Sequence, residues 1–554
     1  MPRGWARRLR PVVVVALALL LAPPAPVAAP RGDAGRPEAT LQTLGDEFFA
    51  RRLARAPHAA MRGGVHAGDP LAPMVAAPTL SSELAWLRAF RERLAAVPRE
   101  QTAGERASER ALLEAAVDRE LLELEVLRPF ERDPGAYVAL VAGAVEAVLD
   151  PSGGSACARL QRAARRLTEV PEVLRAARLN LRASPRVLTE RAIERFAQVL
   201  RFYRTEVPRL TAGCRSAHMQ ADLAQADTIA VRAVEAFVTY LEEDLLPASG
   251  GAPAIGPDAC RRILRGALAA EVAPIETLLA EAARRVEARR ADVEESATLV
   301  SGGGVRAALD SLAAHQPEDW AADGDSAGRV ARALGRVEAF LRARDVVSIP
   351  PRAAPGMREA LAIEPLDRWQ TDLAVAHEGL PGRYLRAVAL RAASRLRRAL
   401  QETWPAEDWG QYCERMLLDQ GYGEADPRYR LAGAVRALRD AGRSFACMAI
   451  HSGAMSEDEA RRMLEDRCLL DPAQADREAR SAAANPALMS YTFGAQRLNE
   501  LHEEARARLG PRFRTRAFHD AVLQCGASPH GIVRDRLWLE LTDAVGGNPP
   551  GMKP

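Results

Sequence analysis

Lysine is all but absent from this chain. Of the 76 basic residues only Lys553 carries an ammonium and the rest are arginine, which reflects a compositional bias of the source genome more than a function. An excess of one charge is lacking too. The 73 acidic residues are interspersed with the basic ones and leave a net charge of +3, which excludes the basic surface of a nucleic-acid-binding protein. Aromatic residues make up 5% of the chain, and alternating apolar–polar patterns are almost missing. Val346 to Ile349 is the best strand candidate, so little sheet is expected. The seven cysteines include no C-x-x-C pair, and there is no nucleophile elbow, phosphate loop or dinucleotide fingerprint to support thiol-redox, serine-hydrolase or nucleotide-dependent chemistry.

The apolar run Val12 to Ala22 is too short to span a bilayer comfortably and follows Arg3, Arg7, Arg8 and Arg10, so residues 1–29 read as a secretory signal. No cysteine lies there to accept a lipid. The expected address is the periplasm or the exterior, with no membrane span after cleavage. In that oxidising setting some cysteines would pair, and the odd number leaves at least one without a partner in the chain.

Beyond a polar linker, 30–40, the chain reads as successive amphipathic helices. Leu84, Leu87, Phe90 and Leu94 recur at helical spacing, as do Leu113, Val117, Leu121 and Leu124 before Pro129, and Ile193, Phe196 and Leu200. The expected organisation is an N-terminal helical region, 41–345, a C-terminal region, 346–545, and a tail, 546–554. In the C-terminal region Pro405 suits a first helical turn just before Glu407, and Asp426-Pro427 opens a helix running to about His451. Arg443, Cys447 and His451, spaced by four, would line one face of it. Gly453 suits its C-terminal cap, and Ser456 with Glu459 forms a capping box for the next helix.

Chemistry concentrates in Ala376-His377-Glu378-Gly379-Leu380-Pro381-Gly382-Arg383. An imidazole to hold zinc and a carboxylate to take a proton from metal-bound water are what His377 and Glu378 offer. The position four residues after His377 is Pro381, so the helix breaks there and residue 383 is re-aimed toward His377.

Five motifs in order carry a resemblance. They are His377-Glu378 with Pro381-Gly382; Glu407, Trp409, Tyr412 and Glu414; Arg443 and His451; Ser490-Tyr491-Thr492-Phe493-Gly494; and Phe518-His519-Asp520-Ala521-Val522-Leu523. Together they resemble the bacterial family called domain of unknown function 885, whose members look like relatives of HExxH-type zinc metallopeptidases. Weaker similarity reaches back to about Leu41. The resemblance implies a multi-helix, all-α, zincin-like architecture. It also implies His377 and Glu407 as metal ligands, Glu378 as general base, and His451 and Tyr491 as stabilisers of an oxyanion.

The departures weigh as much as the matches. Arg383 stands where the family's second histidine belongs, Arg386 where its glutamine belongs, Asp408 where its glycine belongs and Cys447 where its aspartate belongs. A guanidinium supplies no lone pair, which leaves an incomplete metal site and no expected cofactor; zinc enters only if the site still works. Arg383 is expected to hydrogen-bond Glu407 or Glu378 in place of the lost cation, or else to swing into solvent. The expected function is binding of a peptide or protein ligand in a helical cleft without efficient hydrolysis. The alternative is an active zinc peptidase or amidase in which His451 or Glu414 completes the site.

Overall fold

A chain dominated by alanine, leucine and arginine has strong intrinsic helix propensity, and the computed structural model is built of helices with no strand among its described residues. Those residues are 37–55, 75–98, 105–149, 154–182, 184–314, 316–317, 320, 326–350, 363, 367–391, 400, 407–526 and 528–545. The expected signal 1–29, most of the 30–40 linker, Pro405 and the 546–554 tail lie outside them. No helix among the described residues is long and apolar enough to cross a membrane.

Three apolar cores form. A small one joins α1 (Pro37–Arg55), α2 (Ala77–Ala95) and α3 (Glu105–Leu122). Leu87, Phe90 and Leu94 are fully buried there, as their spacing predicts, and Phe48 and Trp86 pack on Phe90. A second core lies among α4 (Ala136–Leu149), α5 (Ala156–Leu167), α6 (Val170–Asn180), α7 (Arg186–Glu206) and α8 (Ala217–Tyr240). Phe196 meets Phe237 edge-on inside it, and a Cys157–Cys214 disulfide closes it.

The largest core draws on both expected regions. It unites α9 (Pro257–Leu268), α10 (Ile275–Val300), α11 (Gly304–Ala314) and α12 (Ser326–Ala343) with the C-terminal helices. These are α13 (Arg368–Glu378), α14 (Arg383–Leu390), α15 (Glu407–Asp419), α16 (Pro427–Ser452), α17 (Glu457–Cys468), α18 (Pro472–Ala484), α19 (Tyr491–Leu509), α20 (Thr515–Cys525) and α21 (His530–Val545). The two 26-residue helices α10 and α16 lie along each other as its spine.

Local signals set the helix ends. The Asp426 carboxylate accepts from Arg428 N to start α16, and Gly453, at φ +84°, ends it where a side chain would be strained. Ser456 and Glu459 form the capping box of α17. Val346 to Ile349, the strand candidate, forms no strand and bends at Val347. Side chains of α20 satisfy it instead: Asp520 accepts from the Ser348 N–H (2.9 Å) and hydroxyl (2.6 Å), and His519 Nδ1 donates to the Val346 carbonyl (2.8 Å).

Candidate functional site

Asp367 caps α13, accepting from Gln370 N at 2.8 Å, and the helix runs until Gly379. Leu380, cis-Pro381 and Gly382 turn the corner, and α14 starts at Arg383. Only glycine fits at 382, because a Cβ there would stand 1.8 Å from the His377 carbonyl oxygen. Trp409 Nε1 donates to the Pro381 carbonyl at 2.9 Å and fixes the corner against α15. The helix breaks at the Pro-Gly pair as expected, and residue 383 is turned onto Glu378 and Glu407.

His377 sits buried between two carboxylates of α15. Its Nδ1 is 2.5 Å from Glu414 Oε1 and its Nε2 is 3.0 Å from Glu407 Oε2. Gly410 makes that approach possible, since a Cβ there would lie 2.5 Å from Nε2. Burial alone would lower the His377 pKa. The hydrogen bonds and charges of Glu407 and Glu414 outweigh it and raise the pKa to about 10.

Glu414 is held in turn by Arg436 of α16, whose Nε and terminal nitrogen donate at 2.5 and 2.7 Å. Burial would raise the Glu414 pKa, but the Arg436 guanidinium and His377 bring it down to about 2. Arg383 bridges the other pair: one terminal nitrogen is 3.2 Å from Glu378 Oε1 and 2.9 Å from Glu407 Oε1. The Glu407 carboxyl is lowered as well. The penalty of its burial is outweighed by His377, with Arg383 and Arg443 adding to the effect.

This donor set does not meet the three-ligand need of a catalytic zinc site. Glu414 lies on the Nδ1 side of His377, engaged by Arg436, while Glu407 lies on the Nε2 side. His451 is committed elsewhere, with its Nε2 3.0 Å from the Ala482 carbonyl. Among the described residues no group of three or more His, Cys, Asp or Glu side chains is arranged to hold a metal ion.

Arg443, Cys447 and His451 do share a face of α16, and that face packs on α18 and the turn after it. Arg443 pairs with Glu478 at 2.6 and 2.7 Å, the Cys447 thiol donates to the Asn485 carbonyl at 3.3 Å, and His451 reaches Ala482. Burial pushes the Cys447 thiol up, away from reactivity. Of the five residues expected to act, the fold brings together His377, Glu378 and Glu407. Tyr491 stands at their margin, its phenol raised first by burial and then by the charge of Glu407. His451 faces a separate cavity of about 1180 Å³, which none of His377, Glu378, Arg383 and Glu407 lines.

Two groups escaped the sequence reading. One is Arg436, which nothing in a motif marks. The other is a buried triad: Arg386 lies 3.1 Å from Asp408 Oδ1, and His530 Nε2 lies 2.8 Å from Asp408 Oδ2. Arg386 and Asp408 are both departures from the family pattern and they pair with each other; their opposite charges were the available signal. Trp409, Tyr412 and Phe518 are core residues, and the Tyr412 hydroxyl is 2.8 Å from His519 Nε2.

Solved structures support the architecture. The chain is similar to a candidate lipoprotein of unknown function from Shewanella oneidensis (TM-score 0.73, 18% identity, 89% of this chain and 99% of that one). A candidate lipoprotein from Colwellia psychrerythraea is also similar (TM-score 0.71, 14% identity, 91% and 100%). No curated protein matches the sequence. The model of the family described as bacterial protein of unknown function, DUF885, matches residues 57–365 and 358–537. With that match covering most of its length, on an all-helical fold, the chain belongs to the DUF885 family.

Proposed function

We propose that this chain is a binding member of its family, one that holds a peptide or protein ligand outside the cytoplasm without metal-dependent hydrolysis. A single observation carries the reading: the Arg383 guanidinium bridges Glu378 and Glu407 at 3.2 and 2.9 Å, where the family pattern has a metal-binding histidine. A guanidinium stays protonated at physiological pH, so it neutralises these carboxylates as a divalent cation would and offers nothing to a metal. Its two partners favour a rebuilt site over an arginine drifting in solvent. The signal-like N-terminus and the similarity to candidate lipoproteins support an address outside the cytoplasm.

Metal analysis of the purified protein tests the reading. Zinc is expected well below one equivalent in the native chain, and Arg383→His is expected to gain zinc and to melt higher when zinc is added, because a ligand bound only by the folded state stabilises it. Stoichiometric zinc in the native protein would overturn the proposal. A working hydrolase would also lose its activity in Glu378→Gln, a substitution expected to be silent for activity here.

A further inference from the structure

A cavity of about 560 Å³ opens between α2, the turn that follows α3 and the end of α6, a size within the roughly 300–1,000 Å³ of small-molecule sites. No residue of the Arg383 cluster lines it, so a ligand there goes beyond the function proposed above. One wall is shaped by an unusual stretch of backbone. Glu123–Leu127 continue α3 as a π turn, the Arg128 N–H donates to the Glu123 carbonyl at 2.8 Å, and Arg128 takes a left-handed φ of +46°. Side chains rarely sit at such a φ, and both π turns and left-handed residues concentrate at functional sites. The turn sets Leu124 and Phe130 into the wall beside Leu80 and Leu84 of α2, all four half-buried.

Asn180, 6% exposed, adds a polar group to that wall. Its Nδ2 donates to the Val75 carbonyl at 2.6 Å and to the Tyr137 hydroxyl at 3.0 Å, and that hydroxyl donates in turn to the Phe130 carbonyl at 2.8 Å. A carbonyl only accepts, so the amide is fixed in this orientation. Its Oδ1 is left with no donor among the described residues, and it is not sealed from the cavity. Such an acceptor calls for an N–H. Three arginines and two glutamates share the wall. Arg88 pairs with Glu125 at 2.8 Å and Arg128 with Glu131 at 3.1 Å, while no carboxylate among the described residues pairs with Arg182. The surplus is one positive charge, on an exposed guanidinium. One acceptor, one spare cation and an apolar wall complement a single chemical unit: an apolar amino-acid residue with an acylated nitrogen and a free carboxylate.

We propose that this cavity binds the C-terminal residue of a peptide, with Asn180 Oδ1 accepting its N–H, Arg182 holding its carboxylate, and Leu80, Leu84, Leu124 and Phe130 receiving an apolar side chain. An internal stretch of peptide has no carboxylate to offer Arg182, and an N-terminus brings an ammonium to a wall that is already positive, so both are disfavoured.

Calorimetric titration of the full chain with N-acetyl-Ala-Ala-Ala-Leu tests the inference, alongside the same peptide ending in an amide and the same peptide N-methylated at its last residue. The free acid is expected to bind, and each change in the ligand to weaken binding about tenfold or more, one by removing the charge held by Arg182 and the other the N–H held by Asn180. These ligand changes read the site without altering the fold. Arg182→Gln is expected to melt as the native chain does, to lose the same factor against the acid, and to lose nothing against the amide. Failure of the acid to bind, undiminished binding of the amide or of the N-methylated peptide, or full affinity in Arg182→Gln overturns the inference. N-acetyl-leucine separates a peptide from a lone acylated amino acid: the tetrapeptide is expected to bind more tightly, and equal affinity would remove the peptide. If Arg383→His loses binding and Arg182→Gln keeps it, the peptide lies on the Arg383 cluster; the inference then falls while the proposed function stands. Zinc in the native protein would overturn the proposed function and leave these outcomes untouched.

Discussion

Single residues fix how closely the helices of the site approach. At position 410 a methyl group would sit 2.5 Å from His377 Nε2, against a ring held on both sides, so Gly410→Ala must displace either the imidazole or α15. Overpacking of this kind costs about 1–3 kcal/mol, which urea unfolding would read as a loss of that size; an unchanged midpoint would mean the ring is free to move. His519 sets a pH limit. It is fully buried, with Nδ1 donating to the Val346 carbonyl and Nε2 facing the Tyr412 hydroxyl, and burial holds its pKa down to about 4. The fold therefore favours the neutral ring. Its contribution is complete above the unfolded value near 6.5 and is lost as pH falls toward 4, a change of about 3 kcal/mol for a shift of this size. Urea midpoints at pH 7 and pH 4 should differ more in the native protein than in His519→Gln. Equal differences would remove His519 from the acid response.

At the scale of elements, α14 and α15 are joined by two neighbouring rungs. Arg383 and Arg386, three apart on one helical face, meet the consecutive carboxylates Glu407 and Asp408 at 2.9 and 3.1 Å. Both acids lie in the first turn of α15, where the helix dipole also favours negative charge. Burial would raise the Asp408 pKa, but Arg386 and His530 hold it at about 2. Losing one partner of such a pair typically costs about 3–5 kcal/mol because the other charge stays buried, and His530 should keep Arg386→Gln at the low end of that range. Arg386→Gln combined with Asp408→Gly restores the family residues at both positions. The double variant should be destabilised by clearly less than the sum of the two single variants in a thermal or urea cycle, and additive losses would show that the pair is not coupled.

On the scale of the molecule, the separate cores predict separate responses to reduction. The Cys157–Cys214 bond closes a loop of 57 residues within the second core, a constraint worth about 4 kcal/mol in the chain-entropy model. Cys157→Ser/Cys214→Ser should lower the melting temperature of that bundle, while the zinc response of Arg383→His stays the same. The other five cysteines are buried, so alkylation followed by mass spectrometry should label none of them before unfolding. Labelling of the folded protein would mean that the largest core opens locally.

Much of the fold was legible because helical periodicity and capping are local. Leu87, Phe90 and Leu94 declared their buried face, and Asp426, Gly453 and the Ser456–Glu459 box declared their helix ends. The corner at Pro381 and Gly382 was legible for the same reason. Arg436, His530 and the Cys157–Cys214 pair were not, since each meets its partner across long stretches of chain and no spacing rule links them. The pattern of Val346 to Ile349 made no strand because side chains of α20, not another strand, take up its hydrogen bonds.

By itself the sequence determined the helices, their caps and the presence of a guanidinium where the family pattern has an imidazole, because backbone propensity and side-chain chemistry belong to each residue. Tertiary structure alone decided that Arg383 turns back onto Glu378 and Glu407, that Glu414 serves Arg436 and the far side of His377, and that His451 faces a different cavity. Those outcomes depend on distances between helices, which packing sets and no local pattern encodes.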